Sequence, residues 1–329
     1  MTGTADDCFR HRYVPDWEQI PPGRQRSEAA DVTVGDSDQV FVLTRHPGAV
    51  LVYDSGGRFC RSFGDGVLSP RPHAVTIGAD GRCYVVDEPR HVIRVFSAAG
   101  QLLDTIGQPD AGSDTGVDES LPVPSWPLSV RRGGPPFNHP TKAAPSPDGG
   151  LYVSDGYGNA RVHHFGSDGS LVRSWGGPGT GPGQFNLPHS VLVLADGRVV
   201  VADRENDRLS VFVPGGSLIA EWTSVRRPCA VTQDDRGLLF VAELPWQAGE
   251  TAPRRGPVRR ASAASIAVLS AAGRLLARWT PAATGGPAAL TAPHGICTDP
   301  AGSLYLAEVC FSYTGRAGPP GVRKFAAAR

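Results

Sequence analysis

The sequence predicts an all-β fold, a six-bladed β-propeller whose blades are six copies of one four-stranded unit. The first observation is a repeated pair of short apolar strands joined by an Asp-Gly turn, as in Ala79-Asp80-Gly81 and Ala195-Asp196-Gly197. The second is a constant spacing within the units, and the third is a fourth strand that often ends in an aromatic residue, as in Ser174-Trp175-Gly176. Repetition of a four-stranded unit is typical of propellers.

The spacing fixes the boundaries of the six units. Five units open on proline, and in each of these the residue 15 positions later is acidic. The first unit opens on alanine and has threonine 15 positions later. A constant offset means that the first two strands and their turn keep one length throughout. The pairs are Ala29/Thr44, Pro72/Asp87, Pro140/Asp155, Pro188/Asp203, Pro228/Glu243 and Pro293/Glu308. One propeller domain is therefore predicted over 29–329, with blades at about 29–64, 71–107, 137–176, 185–223, 225–280 and 290–329.

The last unit stops after its third strand, Val322–Phe325. The N-terminal arm, residues 1–28, contains a candidate strand at about 13–20, with Trp17, that would supply the missing fourth strand. Such a strand would close the ring and remove its open edges. An open solenoid or a pair of β-sandwiches is the alternative architecture.

Composition limits the classes of partner. The chain has 329 residues with 32 Lys+Arg and 32 Asp+Glu, a balance that argues against general binding to nucleic acid or to anionic membranes. Its six cysteines form no CxxC pair, and Met1–Arg10 has no apolar stretch of a secretory signal. We therefore expect a cytoplasmic protein with free thiols, without a nucleic-acid or membrane partner.

The long connections are predicted to lie on one face of the disc. They are Gln108–Pro136, Pro245–Ser262 and Cys310–Pro320, which enter first strands or link second to third strands, whereas the short Asp-Gly turns lie on the other face. Long loops gathered over one end of a rigid scaffold commonly carry function. The residue after each opening position also lies on this face, near the central channel. By unit these residues are Ala30, His73, Thr141, His189, Cys229 and His294.

Histidine occupies this position in every second unit. His73, His189 and His294 belong to units two, four and six, so their imidazoles should converge on the channel axis with three-fold symmetry. Three neutral imidazoles with an open fourth position are the ligand set of a catalytic zinc site, and iron or cobalt suits imidazole nearly as well. Cys229 is interpreted as a small buried residue rather than a competing ligand.

Three further residues should approach the same mouth of the channel. Arg45, Tyr157 and Arg204 each lie just beyond the position 15 residues after the opening of their unit. Two guanidinium groups can bind a carboxylate through charge-assisted hydrogen bonds. A phenol beside a cation and a metal is suited to act as a general base. The alternative interpretation of Arg204 is an ion-pair turn within Asp203-Arg204-Glu205-Asn206.

The central units carry a resemblance to a known family. The stretches are Val153-Ser154-Asp155-Gly156-Tyr157-Gly158-Asn159-Ala160-Arg161, Pro182-Gly183-Gln184-Phe185-Asn186-Leu187-Pro188-His189-Ser190 and Val201-Ala202-Asp203-Arg204-Glu205-Asn206. They resemble the NHL-repeat propeller of peptidyl-α-hydroxyglycine α-amidating lyase, which splits a carbinolamide into a primary amide and glyoxylate. The likeness is specific over 137–212 and weaker over the other units.

The resemblance implies roles for individual residues. His73, His189 and His294 would be the zinc ligands, and Tyr157 the base near the substrate hydroxyl. Arg204 would hold the substrate carboxylate, and Arg45 would be a second cation that keeps Tyr157 ionised. The implied activity is a zinc-dependent carbon–nitrogen lyase acting on a carboxylate-bearing substrate, small or peptide-like.

The sequence also departs from the family, and other functions stay open. Gly295 stands where the lyase has an aspartate that helps to hold a structural calcium ion, and Lys142 replaces another aspartate, so a calcium site is doubtful. The same histidine centre could activate water for lactone or ester hydrolysis. A third alternative is a propeller without catalytic activity that binds other molecules, as many NHL proteins do. The substrate, the choice between zinc and iron, and the oligomeric state are left open.

Overall fold

The structure, a computed structural model, describes residues 11–24, 27–280, 288–316 and 321–327. Six four-stranded antiparallel sheets form the blades of a closed propeller. In blades 1–5 the four strands follow one another in the chain, and in blade 6 the strand His11–Val14 takes the outermost place. The all-β, six-bladed architecture predicted from the repeat is thus present.

The strands lie within the predicted units. Blade 1 consists of Ala29–Val34, Val40–Thr44, Ala49–Tyr53 and Phe59–Phe63. Blade 2 consists of Ala74–Ile77, Cys83–Asp87, Val92–Phe96 and Leu102–Ile106. Blade 3 consists of Pro140–Pro145, Leu151–Asp155, Arg161–Phe165 and Leu171–Trp175.

The second half of the ring repeats this arrangement. Blade 4 consists of Pro188–Val193, Val199–Asp203, Arg208–Phe212 and Leu218–Trp222. Blade 5 consists of Pro228–Gln233, Leu239–Glu243, Ser265–Leu269 and Leu275–Trp279. Blade 6 consists of Pro293–Thr298, Leu304–Glu308, Val322–Ala327 and His11–Val14.

The remaining elements are short and lie in connections. The α-helices are Trp126–Ser129 and Cys310–Thr314. Single 3₁₀ turns lie at Asp36–Asp38, Glu88–Arg90, Val123–Ser125 and Arg204–Asn206, and a small hairpin joins Thr251–Ala252 to Gly256–Pro257. Neither helix in the described part of the chain is long and apolar enough to cross a bilayer.

The N-terminal strand closes the ring, but it begins before the predicted segment. His11 pairs with Ala327 and Val14 with Lys324 in antiparallel register. The strand was expected at about 13–20, around Trp17, and this boundary is wrong. Trp17 instead packs its ring against Tyr53 and Tyr305, with centroids 5.7 and 5.1 Å away, between the first and last blades. Its apolar character reflects this buried contact rather than a place in a strand.

The 15-residue spacing reflects strand pairing. Ala29 pairs with Thr44, Pro140 with Asp155, and Pro188 with Asp203, and blades 5 and 6 keep the same register. The acidic side chain that ends the second strand accepts the amide N–H of a residue entering the blade. The observed bonds are Ser69 to Asp87, Asn138 to Asp155, Asn186 to Asp203, Arg226 to Glu243 and Thr291 to Glu308.

The core lies between neighbouring blades. Between blades 1 and 2, Phe41, Leu43 and Val85 belong to one buried apolar cluster. On the face away from the long loops, the hairpin turns are closed by glycines in the left-handed region, such as Gly81 with φ +73°. These turns keep first and second strands at one length, so each blade presents the residue after its opening position to the channel at the same height.

Candidate functional site

Three imidazoles meet at the upper end of the channel. His73, His189 and His294, which we call the histidine triad, have ring centroids 4.7, 4.8 and 4.7 Å apart and are each at least 95% buried. Their potential ligand atoms all lie within 4.8 Å of one another. The convergence expected from histidine in every second blade is therefore present in the structure.

A β-bulge turns the side chains of His189 and His294 into the channel. The pairing register shifts between Pro188 and Ser190 and between Pro293 and Gly295, so His189 and His294 are extra residues left out of the ladder. The same shift occurs at the first strands of blades 1, 3 and 5. A bulge re-aims a side chain without ending the strand, which explains how a regular repeat delivers its ligands to one point.

The blades without histidine orient the triad. Each Nδ1 bonds to the backbone carbonyl oxygen at the equivalent position of the next blade. The acceptors are Thr141 for His73 at 2.6 Å, Cys229 for His189 at 2.8 Å, and Ala30 for His294 at 2.7 Å. Because Nδ1 donates its hydrogen, each neutral ring keeps a lone pair on Nε2, the arrangement typical of metal-ligating histidines.

The electrostatics keep the triad neutral. Burial lowers the pKa of each imidazole well below its ordinary value. Arg204 lowers all three pKa values further, and Arg45 lowers those of His73 and His294. The Nε2 atom of His73 is buried without a hydrogen-bond partner among the described residues. Three lone pairs, one of them orphaned, fit a tetrahedral transition metal with an open fourth position.

Cys229 contributes its backbone rather than its sulfur. Its carbonyl oxygen holds His189, and burial raises the pKa of its thiol to about 11. A protonated thiol is a poor metal ligand. The interpretation of Cys229 as a small buried residue agrees with this geometry.

Tyr157 lies against the triad. Its hydroxyl oxygen is 3.2 Å from Nε2 of His189, and its ring centroid is 5.4 Å from that of His73. The flanking glycines allow this close packing. A Cβ at Gly156 would lie 2.3 Å from the carbonyl oxygen of Pro188, and one at Gly158 would be equally close to the Asn138 side chain.

The cation beside the phenol is Arg204. Its Nη1 donates to the Tyr157 oxygen at 3.3 Å, and its Nε donates to Glu205 at 2.8 Å. From the sequence, Arg45 was expected to keep Tyr157 ionised together with the metal. Burial lowers the pKa of Arg45, whereas the charge of Tyr157 raises it, so the two groups do interact. Arg45 lies in the same cavity, and its hydrogen bonds among the described residues go to the Pro72 carbonyl, Glu28 and Ser312.

A cavity of about 650 Å³ opens above the triad. The three long connections all contribute to its wall, as expected from their place on one face. The lining residues are Arg45, Arg71, Val123, Pro124, Tyr157, Arg204, Arg227, Leu244, Gln247, Glu250, His294, Val309, Ser312 and Tyr313. A volume of this size can enclose a drug-sized molecule, so the site can take a substrate larger than its reacting group.

Known proteins share the repeat, the fold and part of the sequence. Residues 185–212 match the NHL repeat family. Peptidyl-glycine alpha-amidating monooxygenase A of Xenopus laevis is 31% identical over 218 residues, 63% of this chain and 21% of that protein. A probable peptidyl-alpha-hydroxyglycine alpha-amidating lyase of Caenorhabditis elegans is 26% identical over 282 residues, 78% of this chain and 72% of that protein. The chain is a six-bladed β-propeller with an NHL repeat at 185–212, and its sequence resembles the amidating lyases.

The chain spans about a fifth or less of the length of the amidating monooxygenases that it matches. Two solved structures have similar folds. A streptogramin B lyase matches with TM-score 0.59 and 14% identity over 99% of this chain and all of that one. A gluconolactonase of Xanthomonas campestris matches with TM-score 0.59 and 14% identity over 99% of this chain and 97% of that one. These structures support the propeller fold alone.

Two arginines of the cavity were not expected from the sequence. Arg71 and Arg227 line the cavity, and each directly precedes the proline that opens its blade. In blade 1 the corresponding residue, Glu28, bonds to Arg45. Comparison of the position before each opening residue would have shown that this register also carries charged side chains.

The residues of this propeller do not fit a structural calcium ion below the triad. The ammonium group of Lys142 bonds to Asp31 Oδ2 and, at 2.9 Å, to the Val75 carbonyl oxygen. At Gly295 an added Cβ would lie 2.2 Å from Asp31 Oδ1. The carboxylate that a calcium ion would need is therefore paired with the lysine cation. At position 295 there is no room for the side chain of a second carboxylate.

A second group of potential ligands is a hydrogen-bonded charge cluster. It consists of His91, Glu119 and His139, together with Glu88. Nδ1 of His91 accepts the amide N–H of His139 at 3.0 Å, so a neutral His91 carries its hydrogen on Nε2 and has no lone pair there. Nδ1 of His139 bonds to Glu88 at 2.6 Å, and its Nε2 faces Glu119 at 3.4 Å. The imidazole of His139 therefore bridges two carboxylates.

Proposed function

We propose that the protein is a metal-dependent carbon–nitrogen lyase that splits the carbinolamide of an N-acyl-α-hydroxyglycine-like substrate into an amide and an α-oxo acid. One observation carries the proposal: a phenol oxygen lies 3.2 Å from the ligand atom of one member of a neutral histidine triad and accepts a hydrogen bond from an arginine. The relatives named peptidyl-alpha-hydroxyglycine alpha-amidating lyase support it.

The Nε2 atoms of the triad would hold the metal, with zinc the first choice and iron the second. A bound divalent ion supplies Lewis acidity, which lowers the pKa of the substrate hydroxyl. The neutral triad would hold the ion without adding negative charge to the site.

The side chains around the triad would move the proton and fix the substrate. The guanidinium of Arg204 would stabilise Tyr157 as a phenolate. This phenolate would take the hydroxyl proton and become a neutral phenol. The carbonyl forms as the carbon–nitrogen bond breaks, and the electron pair goes to nitrogen. Tyr157 returns the proton to the departing amide, so no water is consumed. Arg45 and Arg204 would bind the α-carboxylate, which would align the scissile bond.

The test uses racemic N-benzoyl-α-hydroxyglycine and the purified, metal-loaded protein. We expect benzamide and glyoxylate in equal amounts. Because the site is chiral, consumption should stop at half of the racemate and leave an optically active residue, whereas spontaneous decay removes both enantiomers. Decay at the rate of a His189→Ala control would contradict the proposal.

Lactone hydrolysis is the alternative chemistry at the same centre. The two reactions differ in the fate of solvent oxygen. In ¹⁸O-water a lactonase incorporates label into the acid that it forms, whereas benzamide formed by the lyase contains none. If the protein opens δ-lactones and does not cleave the carbinolamide, lactone hydrolysis replaces the proposed lyase activity.

A further inference from the structure

Arg71 differs from the other arginines of the cavity in the use of its donors. Arg45, Arg204 and Arg227 each engage both Nε and Nη1 with protein acceptors. In Arg71 the side-chain bonds found within the described ranges involve Nη2 alone, which contacts Glu88 at 2.8 Å. Arg71 is also 29% exposed and lines the cavity, so its Nε and Nη1 hydrogens are available to a ligand.

The guanidinium of Arg71 is held in place rather than free in solvent. Glu88 is 1% exposed, and its Oε1 bonds both to Arg71 Nη2 and to Nδ1 of His139. The guanidinium carbon of Arg71 also lies 5.9 Å from the centre of the Trp126 ring. A fixed, partly desolvated cation loses little entropy when it binds an anion.

The surrounding charge favours an anion at this point. Four of the charged side chains that line the cavity are arginines, and Glu250 is the lining carboxylate. Glu88 divides its charge between Arg71 and His139, so it neutralises Arg71 only in part. Burial lowers the pKa of Arg45, and repulsion from Arg71 lowers it further, which places these two cations near each other.

We propose that Arg71 binds a second carboxylate, carried by the acyl group of the substrate. This inference rests on the proposed function, in which Arg45 and Arg204 take the α-carboxylate. The substrate class is then a dianion, with an α-hydroxy acid at the triad and a second acid at the far end of the acyl group. Val123 and Pro124 give the cavity wall an apolar part, so an aromatic or aliphatic spacer suits the space between the two acids.

The experiment compares unreactive ligands that differ in one group. N-(4-carboxybenzoyl)glycine carries the second acid, and N-(4-carbamoylbenzoyl)glycine is its neutral isostere. By calorimetry on the metal-loaded protein, we expect the acid to bind about 10- to 100-fold more tightly. Arg71→Gln should reduce this preference to about one, and Arg71→Lys should keep part of it because charge remains without the planar fork.

Arg90→Gln is the matched control, since Arg90 forms an exposed ion pair with Asp110. It should keep the full preference. The inference is overturned if the wild-type protein binds both ligands equally, if neither binds, or if Arg71→Gln weakens both by the same factor. The last result would assign Arg71 to the α-carboxylate or to the fold.

The α-hydroxy forms of the two ligands separate this inference from the proposed function. Cleavage of both with equal kcat/KM would support the lyase and overturn the second carboxylate site. Preferential binding of the acid without cleavage of either hydroxy form would support the second site and overturn the lyase.

Discussion

The ion pair between Lys142 and Asp31 should stabilise the propeller without calcium. The Asp31 carboxylate is 4% exposed and accepts the amide N–H groups of Val32 and Val75, each at 2.9 Å. Lys142→Met leaves this charge buried without its cation, which costs about 3–5 kcal/mol. With an unfolding entropy of about 2.1 cal/mol/K per residue over 329 residues, the expected fall in Tm is about 4–7 °C.

Calorimetric scans of the wild-type and variant proteins measure this change. The other lysine of the chain provides the control. Lys324 bonds to the Ser55 carbonyl oxygen and lies 4.0 Å from Asp299, so Lys324→Met should cost about 1 kcal/mol or less. In the double variant Lys142→Met/Asp31→Asn part of the lost stability should return, because the unpaired charge is gone.

The same scans test calcium directly. A site of about 10 μM affinity at 1 mM calcium would add about 2.7 kcal/mol, or about 4 °C. We expect no change in the Tm of the wild-type protein when calcium is added. A calcium-dependent rise, or a Lys142→Met variant as stable as the wild type, would refute the reasoning.

Four further predictions concern the triad and its surroundings. Tyr157→Phe should lower kcat by about 10²–10⁴-fold while metal content, measured by elemental analysis, stays at one equivalent. His189→Ala should lose both metal and turnover, and full occupancy in this variant would contradict the ligand assignment. Arg204→Lys should reduce kcat/KM for carboxylate substrates, because an ammonium group cannot reproduce the two parallel hydrogen bonds of a guanidinium. An unchanged kcat/KM would contradict the assignment of Arg204 to the substrate carboxylate. Burial lowers the pKa of His139, but Glu88 and Glu119 outweigh it and raise the pKa. The stability that this charge adds is complete below pH about 6.5 and lost as pH rises through the raised value. Denaturation curves between pH 6 and 9 should show this loss in the wild type and not in His139→Gln.

The repeat made most of the fold predictable. A constant spacing of 15 residues is the pairing of a first-strand residue with the end of the second strand, as for Pro188 and Asp203. The position after the opening residue faces the channel because a bulge recurs there, and histidine at every second copy then implies convergence. In the repeated parts of the chain, the spacing of residues within one unit was therefore enough to predict where their side chains lie in the ring.

The features that the sequence did not predict depend on contacts between distant segments. Trp17 has the character of a strand residue, yet it packs between Tyr53 and Tyr305, which are far from it in the chain. The pairing of Tyr157 with Arg204 rather than Arg45 depends on side-chain directions that spacing does not encode. Arg71 was not predicted because the position before the opening residue holds a different residue type in most blades.

The central claim is that three imidazole nitrogens and no sulfur bind one metal ion at the top of the channel. X-ray absorption at the metal edge of the purified protein tests it most directly. We predict about three nitrogen neighbours at roughly 2.0–2.1 Å and one further light atom, at close to one metal per chain. A sulfur neighbour at about 2.3 Å, or metal below about a tenth of an equivalent, would contradict it.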